Sequence, residues 1–271
     1  MEIACDESGY EGEKLIGTTT PLFAHGSVRL ETGAAAECMA ELRARIRSPA
    51  TEYKAGHVLR EKHRAVLEWL LGPAGPVAGR AHVFLLDKER FFLSRLAPEP
   101  ESAEVLHAEG PREFGPEKWA AFLLAANDLM RSRDPQDPLE ALRAMAGDGP
   151  AGRILGDLKP NPRVEDPFPP LDPLFPAIVS AVEVWSGSGS PVEIIHDRQK
   201  TLTPQRIEQL KLSCRGRLGG VILADSSVDP RVQMADVVAG AVRRIAEDEL
   251  RGHGNPKLIA LSQPLRGKFV V

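Results

Sequence analysis

The 271-residue chain has few cysteines and no long apolar run, and each lack excludes a class of protein. Cys5, Cys38 and Cys214 are odd in number and widely spaced, which excludes a disulfide framework and any C-x-x-C metal knuckle. The longest apolar run, 120–126, is far shorter than the ~20 residues that span a bilayer. The start of the chain also lacks the basic and apolar regions of a secretory signal. We therefore expect a soluble, cytoplasmic protein that does not enter a membrane.

Three common catalytic motifs are absent as well. The sequence contains no G-x-x-x-x-G-K-[ST] phosphate loop, no H-E-x-x-H metal motif and no G-x-S-x-G nucleophile elbow. The Gly/Ser-rich stretch 186–190 has neither phosphate-loop nor dinucleotide-loop spacing, which favours a linker. The chemistry must therefore be sought among the carboxylates.

The formal net charge of −4 hides an uneven distribution. Residues 43–64 carry seven Lys/Arg and two acids, and residues 198–217 carry six Lys/Arg and one acid. Either stretch could contact a nucleic-acid backbone, and either could equally be a solvated helix face. Residues 97–172 carry eight basic and fifteen acidic side chains, and 14 of the 23 prolines lie in 97–176. This composition predicts a helical, Pro-rich insertion over about 97–184.

Hydrophobic periodicity predicts a mixed α/β fold. Short apolar runs predict strands over 3–7, 15–19, 22–30, 81–87, 191–196 and 219–224. Helical spacing or capping residues predict helices over 33–47, 58–71, 119–130, 139–146, 175–185, from 204 onwards and over 232–250. Early antiparallel strands, followed by strands that alternate with helices, predict a mixed sheet flanked by helices in a single domain, 1–271.

Four carboxylates stand at unusual places in this pattern. Asp6 comes with Glu7 at the end of the first strand, Glu52 lies between two helices, Asp197 ends a later strand, and Asp236 lies in the first turns of an apolar helix. Each also has an ordinary explanation as a turn residue, a solvated loop acid or a helix-terminus acid. If they converge at one rim of the sheet, they could hold two Mg²⁺ or Mn²⁺ ions, which prefer oxygen ligands. Two such ions ~3.5–4 Å apart stabilise phosphodiester cleavage.

These residues also fall in motifs that resemble a known family. Asp6-Glu-Ser-Gly9, Glu52-Tyr-Lys54, Asp225-Ser226 and Gln233-Met-Ala-Asp236 resemble domain-of-unknown-function family 3800. The resemblance covers nearly the whole chain apart from the Pro-rich block. It implies a ribonuclease H-like fold and a metal-dependent nuclease, with Asp6, Glu52 and Asp236 at the motif positions.

The remaining candidate site residues are ranked by their positions in the predicted strands and turns. For the fourth carboxylate we rank Asp197 first, Asp225 second and Asp87 third. Lys54 could offset charge on the phosphate and His57 could move a proton, although surface roles are the alternative for both. His196 should point away from Asp197, because successive strand residues face opposite sides. His25, in a hairpin strand, is expected to be structural.

The leading functional hypothesis is hydrolysis of a phosphodiester in DNA or RNA, with Asp6, Glu52, Asp197 and Asp236 as metal ligands and Lys54 beside the phosphate. Two alternatives stay open. One is an inactive nucleic-acid- or protein-binding module of the same fold. The other is a small-molecule nucleotide phosphohydrolase, in which the acidic insertion would repel a long polyanion.

Overall fold

The computed structural model describes residues 1–47, 58–97, 99–131, 144, 147–158, 168–187 and 190–267. The chain divides into two compact units. The first comprises Met1–Tyr10, Leu22–Leu85 and Leu174–Phe269, and the second comprises Glu11–Pro21, Leu86–Pro173 and Val270–Val271. The insertion predicted over 97–184 overlaps the second unit with different bounds. Its independence from the rest of the chain remains a prediction.

The strands form a five-stranded mixed sheet in the order β3-β2-β1-β4-β5. The central strand β1 (Glu2–Ser8) is antiparallel to β2 (Leu22–Val28) and parallel to β4 (Val192–Asp197). Strand β5 (Leu218–Ala224) is parallel to β4, and β3 (Ala81–Asp87) lies beside β2. The predicted mixed α/β class is therefore confirmed.

Helices flank this sheet. In chain order the described α-helices are α1 (Thr32–Ile46), α2 (Arg64–Leu71), α3 (Lys88–Leu96), α4 (Pro100–Phe114), α5 (Pro116–Arg131), α6 (Pro150–Gly156), α7 (Leu174–Trp185), α8 (Pro204–Ser213), α9 (Pro230–Leu250) and α10 (Pro256–Ser262). One core contains apolar side chains of α1, α2 and α9 together with those of β1, β2 and β3. On the opposite face, Trp185 at the end of α7 donates its indole Nε1–H to Ser27 Oγ of β2 at 2.8 Å.

Several predicted helices are confirmed, and local chemistry explains their bounds. In α1 the buried side chains are Ala35, Cys38, Met39, Leu42 and Ile46, which repeat at helical spacing. Helix α8 begins at Pro204 because the Thr203 side chain accepts a hydrogen bond from the backbone N–H of Arg206. Helices α5, α7 and α9 also cover their predicted segments. Helices α3, α4, α6 and α10 were not predicted, and the predicted helix 139–146 lies almost entirely outside the described residues.

Two predictions in the first third of the chain are wrong. Residues 15–19 form no strand, because the backbone N–H groups of Leu15 and Ile16 donate to Asn127 Oδ1 instead of to a neighbouring strand. The helix predicted from residue 58 begins only at Arg64. Arg60 is extended, with φ −65° and ψ 139°, so a continuous helix cannot pass through it.

Segment 11–21 of the second unit is held by two buried polar side chains of the same unit. Asn127 on α5 accepts from Leu15 N at 3.0 Å and Ile16 N at 3.1 Å, and its Nδ2 donates to Glu13 O at 3.1 Å. Lys88 at the start of α3 is 2% exposed and donates to the hydroxyls of Thr18 and Thr20, each at 3.1 Å. These bonds provide partners for polar groups of a loop that does not belong to the sheet.

All three cysteines are free and buried, as expected for structural thiols. Burial raises the pKa of Cys5 well above its ordinary value, and it raises the pKa of Cys38 to about 11. No helix in the described ranges is both long and apolar enough to cross a bilayer.

Helix α9 lies directly on the sheet at Gly26 of β2. A Cβ at Gly26 would stand 2.7 Å from the backbone oxygen of Ala235 and 3.0 Å from Cβ of Ala239. Gly26 is the cross-strand partner of Asp6. The missing side chain therefore lets α9, which carries Asp236, approach the sheet beside Asp6.

We expect Gly26→Ala to lower the free energy of unfolding by about 1–3 kcal/mol, because the added methyl group must displace backbone atoms of α9. Thermal and denaturant unfolding measure the change. Gly33→Ala in α1 is the matched control, since a Cβ at Gly33 meets nothing within 4 Å. It should leave stability unchanged or raise it by up to about 1 kcal/mol. Equal effects of the two substitutions would contradict the close approach of α9.

Candidate functional site

Asp6 and Glu7 both lie within β1, which continues to Ser8, and they point to opposite faces of the sheet. Asp6 shares its face with Ala4, which packs in the core that contains α9. Glu7 pairs across the strands with His25, and Cys5 of β1 pairs with His196. Glu7, His25 and His196 therefore share the other face.

Acids from three elements act on the two carboxylates of β1, Asp6 and Glu7. Burial raises the pKa of Asp6 to about 9, and the charges of Glu7, Asp236 and Asp197 add to that rise. The pKa of Glu7 is raised to about 8 by burial and then by the charges of Asp197 and Asp236. Asp236 and Asp197 are partly exposed, whereas Asp6 is 7% exposed. The side chains of Asp6 and Glu7 are thus both buried, and an added cation would be stabilised beside them.

Asp197, the last residue of β4, is held by the turn that follows β5. The backbone N–H of Ser226 donates to Asp197 Oδ1 at 3.1 Å. Gln233 in the first turn of α9 donates its Nε2 to Ser226 O at 2.7 Å, and it accepts a bond from Arg43 of α1 at 3.2 Å. Gln233 therefore fixes the turn that orients Asp197. The two polar residues of the Gln233–Asp236 motif have different roles. Asp236 contributes a negative charge to the cluster, whereas Gln233 positions the turn that holds Asp197.

A buried histidine pair lies on the other face, next to Glu7. The Nε2 atoms of His25 and His196 are 3.2 Å apart, and both side chains are fully buried. Burial lowers the pKa of each ring below its ordinary value, so both are neutral. His196 Nδ1 lies 2.8 Å from the carbonyl oxygen of Asp197 and must donate to it, since a carbonyl only accepts. His196 Nε2 is then the acceptor of the His25 Nε2–H.

Besides His25 Nδ1, which is buried without a hydrogen-bond partner in the described structure, Glu7 has an unsatisfied atom. Its Oε1 accepts a hydrogen bond from Gln199 Nε2. Its Oε2 is buried, has no hydrogen-bond partner in the described structure, and lies 3.8 Å from His196 Nε2. A buried carboxylate oxygen without a partner costs free energy unless a proton, a water molecule or a cation satisfies it.

The other two candidates for the fourth carboxylate have local roles. Asp225 accepts from the backbone N–H of Ser227 at 2.9 Å and from its hydroxyl at 2.6 Å. These bonds lower the pKa of Asp225, as is typical of a turn residue. Asp87 caps α3 by accepting from the backbone N–H of Arg90 at 3.0 Å. The electrostatic coupling of Asp197 to Asp6 and Glu7 favours Asp197.

Three predicted site residues, Glu52, Lys54 and His57, lie outside the described residues. They include the acid of the Glu52–Lys54 motif, so its place relative to Asp6 and Asp236 stays a prediction. The rest of the first basic stretch and the whole of the second are described. In the second, Lys211 pairs with Glu208 at 2.8 Å and Arg217 with Glu183 at 3.2 Å, which reduces the positive charge of this stretch.

The donor chemistry fits a hard divalent cation, but the described ligand set is incomplete. Within the described ranges, no group of three or more His, Cys, Asp or Glu side chains is arranged so that it could hold a metal ion. The coupled acids nevertheless offer carboxylate oxygens, the ligands that Mg²⁺ and Mn²⁺ prefer. A cation there would offset both the burial and the neighbouring negative charges that raise the pKa values of Asp6 and Glu7. Asp6, Asp197 and Asp236 are thus the described residues that would contribute ligands, and Glu52 is predicted to complete the set.

Sequence reasoning missed the roles of Glu7, Gln199, Gln233 and the histidine pair. It treated Glu7 only as a neighbour of Asp6, although alternation along a strand gives two adjacent acids different surroundings. Spacing could not reveal the contact of Glu7 with Gln199, because 192 residues separate them. Gln233 does have a sequence signal, since an amide in the first turn of an apolar helix needs hydrogen-bond partners.

Comparisons of the chain with family models, curated proteins and solved structures find no match.

We expect Gln233→Ala to lower the free energy of unfolding by about 1–3 kcal/mol, because it removes the bonds that hold Ser226 and Arg43. Unfolding by heat and by urea measures the loss. Gln205→Ala on the exposed side of α8 is the control and should change stability by less than about 0.5 kcal/mol. A Gln233→Ala protein as stable as the Gln205→Ala control would show that the turn after β5 does not depend on Gln233.

Proposed function

We propose that this protein is a divalent-metal-dependent nuclease that hydrolyses phosphodiester bonds of DNA or RNA. Asp6, Asp197 and Asp236, together with Glu52, hold Mg²⁺ or Mn²⁺ in this proposal, with two ions expected. The observation that carries it is the burial of Asp6 within β1 beside Glu7, where the charges of Asp236 and Asp197 also reach it. Such an arrangement destabilises a folded protein unless a cation compensates it, and is typical of functional sites.

The sheet supports this proposal by placing the acids on independent, rigid elements. Asp6 lies within the central strand, Asp197 at the end of the strand parallel to it, and Asp236 on the helix that covers both. We include a ribonuclease H-like fold in the proposal. The mixed sheet with β1 at its centre is compatible with that fold, and the resemblance to family 3800 implies it.

Bound Mg²⁺ or Mn²⁺ would act as a Lewis acid, lowering the pKa of a water molecule and stabilising the oxygens of the reacting phosphate. The residues of the chain would hold the ion and orient the carboxylates that bind it. Asp6 would be a ligand of the ion, since it is buried and the charges of the other carboxylates act on it. Ser226 keeps Asp197 in place through its backbone N–H. Lys54 offsets negative charge on the phosphate.

We expect Asp236→Asn to leave the melting temperature of the metal-free protein unchanged or slightly higher, because it removes one repelling charge. The same substitution should abolish the stabilisation by ~5–10 mM Mn²⁺, which should be about 2–3 kcal/mol for the wild type if the metal is near a hundredfold above its Kd. Thermal melts with and without Mn²⁺ measure both effects.

Asp248→Asn is the matched control on the same helix. Asp248 pairs with Arg244 at 3.0 Å, and its substitution should leave the Mn²⁺-induced shift intact. If Asp236→Asn retains the full metal response, Asp236 is a helix acid only. Its loss should then cost about 0.3–1 kcal/mol through the helix dipole.

Activity provides the direct test. We expect labelled DNA or RNA oligonucleotides to be cleaved in the presence of Mg²⁺ or Mn²⁺, with cleavage abolished by chelator and reduced at least ~100-fold by Asp6→Asn or Asp236→Asn. Asp248→Asn should cleave at the wild-type rate. Binding that survives chelator without cleavage would instead indicate a binding module. Strong competition by mononucleotides would indicate a nucleotide phosphohydrolase.

A further inference from the structure

The turn that follows β4 carries two cations at the rim of the sheet where Asp197 lies. Arg198 directly follows Asp197, and Lys200 comes two residues later. Their Cα atoms stand at most about 11 Å from that of Asp197, because an extended residue spans ~3.3–3.6 Å. Both side chains are exposed. Long basic side chains at this distance can reach a ligand that lies beside the carboxylate cluster.

The other residues of this turn anchor it to the rest of the fold. Gln199, between the two cations, donates its Nε2 to Glu7 Oε1 of β1. The hydroxyls of Thr201 and Tyr10 form a hydrogen bond at 3.2 Å. Leu202 is buried, and its backbone N–H donates to Gln199 O at 3.2 Å. The backbone that carries the cations is therefore already fixed, which lowers the entropic cost of binding a ligand there.

Arg198 and Lys200 differ from other cations of the basic stretch 198–217 because no acid is paired with them. Neither forms an ion pair within the part of the chain that the structure describes, whereas Lys211 and Arg217 each pair with a glutamate. The positive charge that this stretch offers to a ligand near Asp197 is thus concentrated in the turn after β4.

Electrostatic coupling also places Arg198 beside the candidate site. The pKa of Asp225 is lowered mainly by its hydrogen bonds with Ser227, and the charge of Arg198 lowers it further. Arg198 therefore lies near the turn after β5. The backbone N–H of Ser226 in that turn donates to Asp197 Oδ1 at 3.1 Å.

We propose that Arg198 and Lys200 bind the backbone phosphates that flank the reacting phosphate, so that the turn 198–201 is the nucleic-acid contact of the site. The inference rests on the proposed nuclease function and adds the residues that hold the substrate. A cluster of carboxylates repels a polyanion, and bound metal ions act on the reacting phosphate. Cations at the neighbouring phosphates would offset the remaining repulsion. Because only a longer strand has flanking phosphates, the contact favours an oligonucleotide over a mononucleotide.

Arg215 provides a matched control within the same basic stretch. It is exposed and forms no ion pair with any described residue. Arg215 precedes the first residue of β5, whereas Asp197 is the last residue of β4, and these two strands are parallel. Arg215 therefore lies at the opposite rim of the sheet, about 20 Å from Asp197 for a six-residue strand.

Salt-dependent binding tests the contact. Fluorescence anisotropy of a labelled single-stranded oligonucleotide of ~16 nucleotides, long enough to cover a typical site, is measured with chelator present so that the strand stays intact. We expect Arg198→Gln and Lys200→Gln each to weaken binding roughly 3–10-fold at ~100 mM salt. Each should also reduce the slope of log K against log[salt] by about 0.7, the value for one contact with a single strand. Arg215→Gln should keep the wild-type affinity and slope, and circular dichroism melts check that each variant folds.

Cleavage in Mg²⁺ provides a second measurement. Loss of a contact to a flanking phosphate should raise KM and leave kcat nearly unchanged, because this contact is the same in the ground state and the transition state. The Mn²⁺-induced shift in melting temperature should stay at the wild-type value, since neither variant removes a carboxylate. A mononucleotide should lose less affinity than the oligonucleotide.

Two results would overturn the inference while the nuclease proposal stands. One is oligonucleotide binding by Arg198→Gln and Lys200→Gln that equals binding by Arg215→Gln. The other is a loss of mononucleotide affinity as large as the loss for the oligonucleotide, which would assign these cations to the reacting phosphate itself. A wild-type protein that neither binds nor cleaves oligonucleotides would contradict the nuclease proposal, and this inference together with it.

Discussion

Helix α9 approaches the sheet closely at Gly26 because Gly26 has no side chain and Ala239 has a small one. This approach places α9, which carries Asp236, over β1. Asp6 of β1 is the cross-strand partner of Gly26. The apolar side chains of α9 bury themselves in the same contact, so the hydrophobic effect holds the two acids together against their repulsion. The core and the candidate site are therefore one structural unit.

Taken by itself, the electrostatic arrangement of these acids lowers the stability of the folded protein. Asp6 and Glu7 are buried, lie next to each other in the chain, and are within the influence of two further acids. Without a cation, burial and the neighbouring charges raise the pKa values of Asp6 and Glu7 and so disfavour two adjacent ionised carboxylates. Proteins retain such clusters where function requires them, and they compensate elsewhere in the fold. Here the compensation comes from apolar packing and from bonds such as those of Gln233.

The sequence predicted what depends on local pattern. Periodicity located α1, α7 and α9, the Thr203-Pro204 pair located α8, and apolar runs located β1, β4 and β5. Prediction from the sequence failed where a residue far away in the chain determines the local structure. This is the case at Leu15 and Ile16, whose N–H groups bond to Asn127. In the site, the position of Asp197 at a strand end was readable. The coupling of Glu7 to Gln199 and the pairing of His25 with His196 were not, because 192 and 171 residues separate the partners.

The loop of the second unit that ends at Pro21 illustrates what a single amide can do. One oxygen of Asn127 accepts from both Leu15 and Ile16, while the amide nitrogen of the same side chain holds Glu13. These backbone groups cannot be released one after another, since rotation of one buried side chain breaks all three bonds. The amide hydrogens of Leu15 and Ile16 should therefore exchange with solvent deuterium at a common rate, set by the opening of α5 around Asn127 and not by fraying of the loop itself.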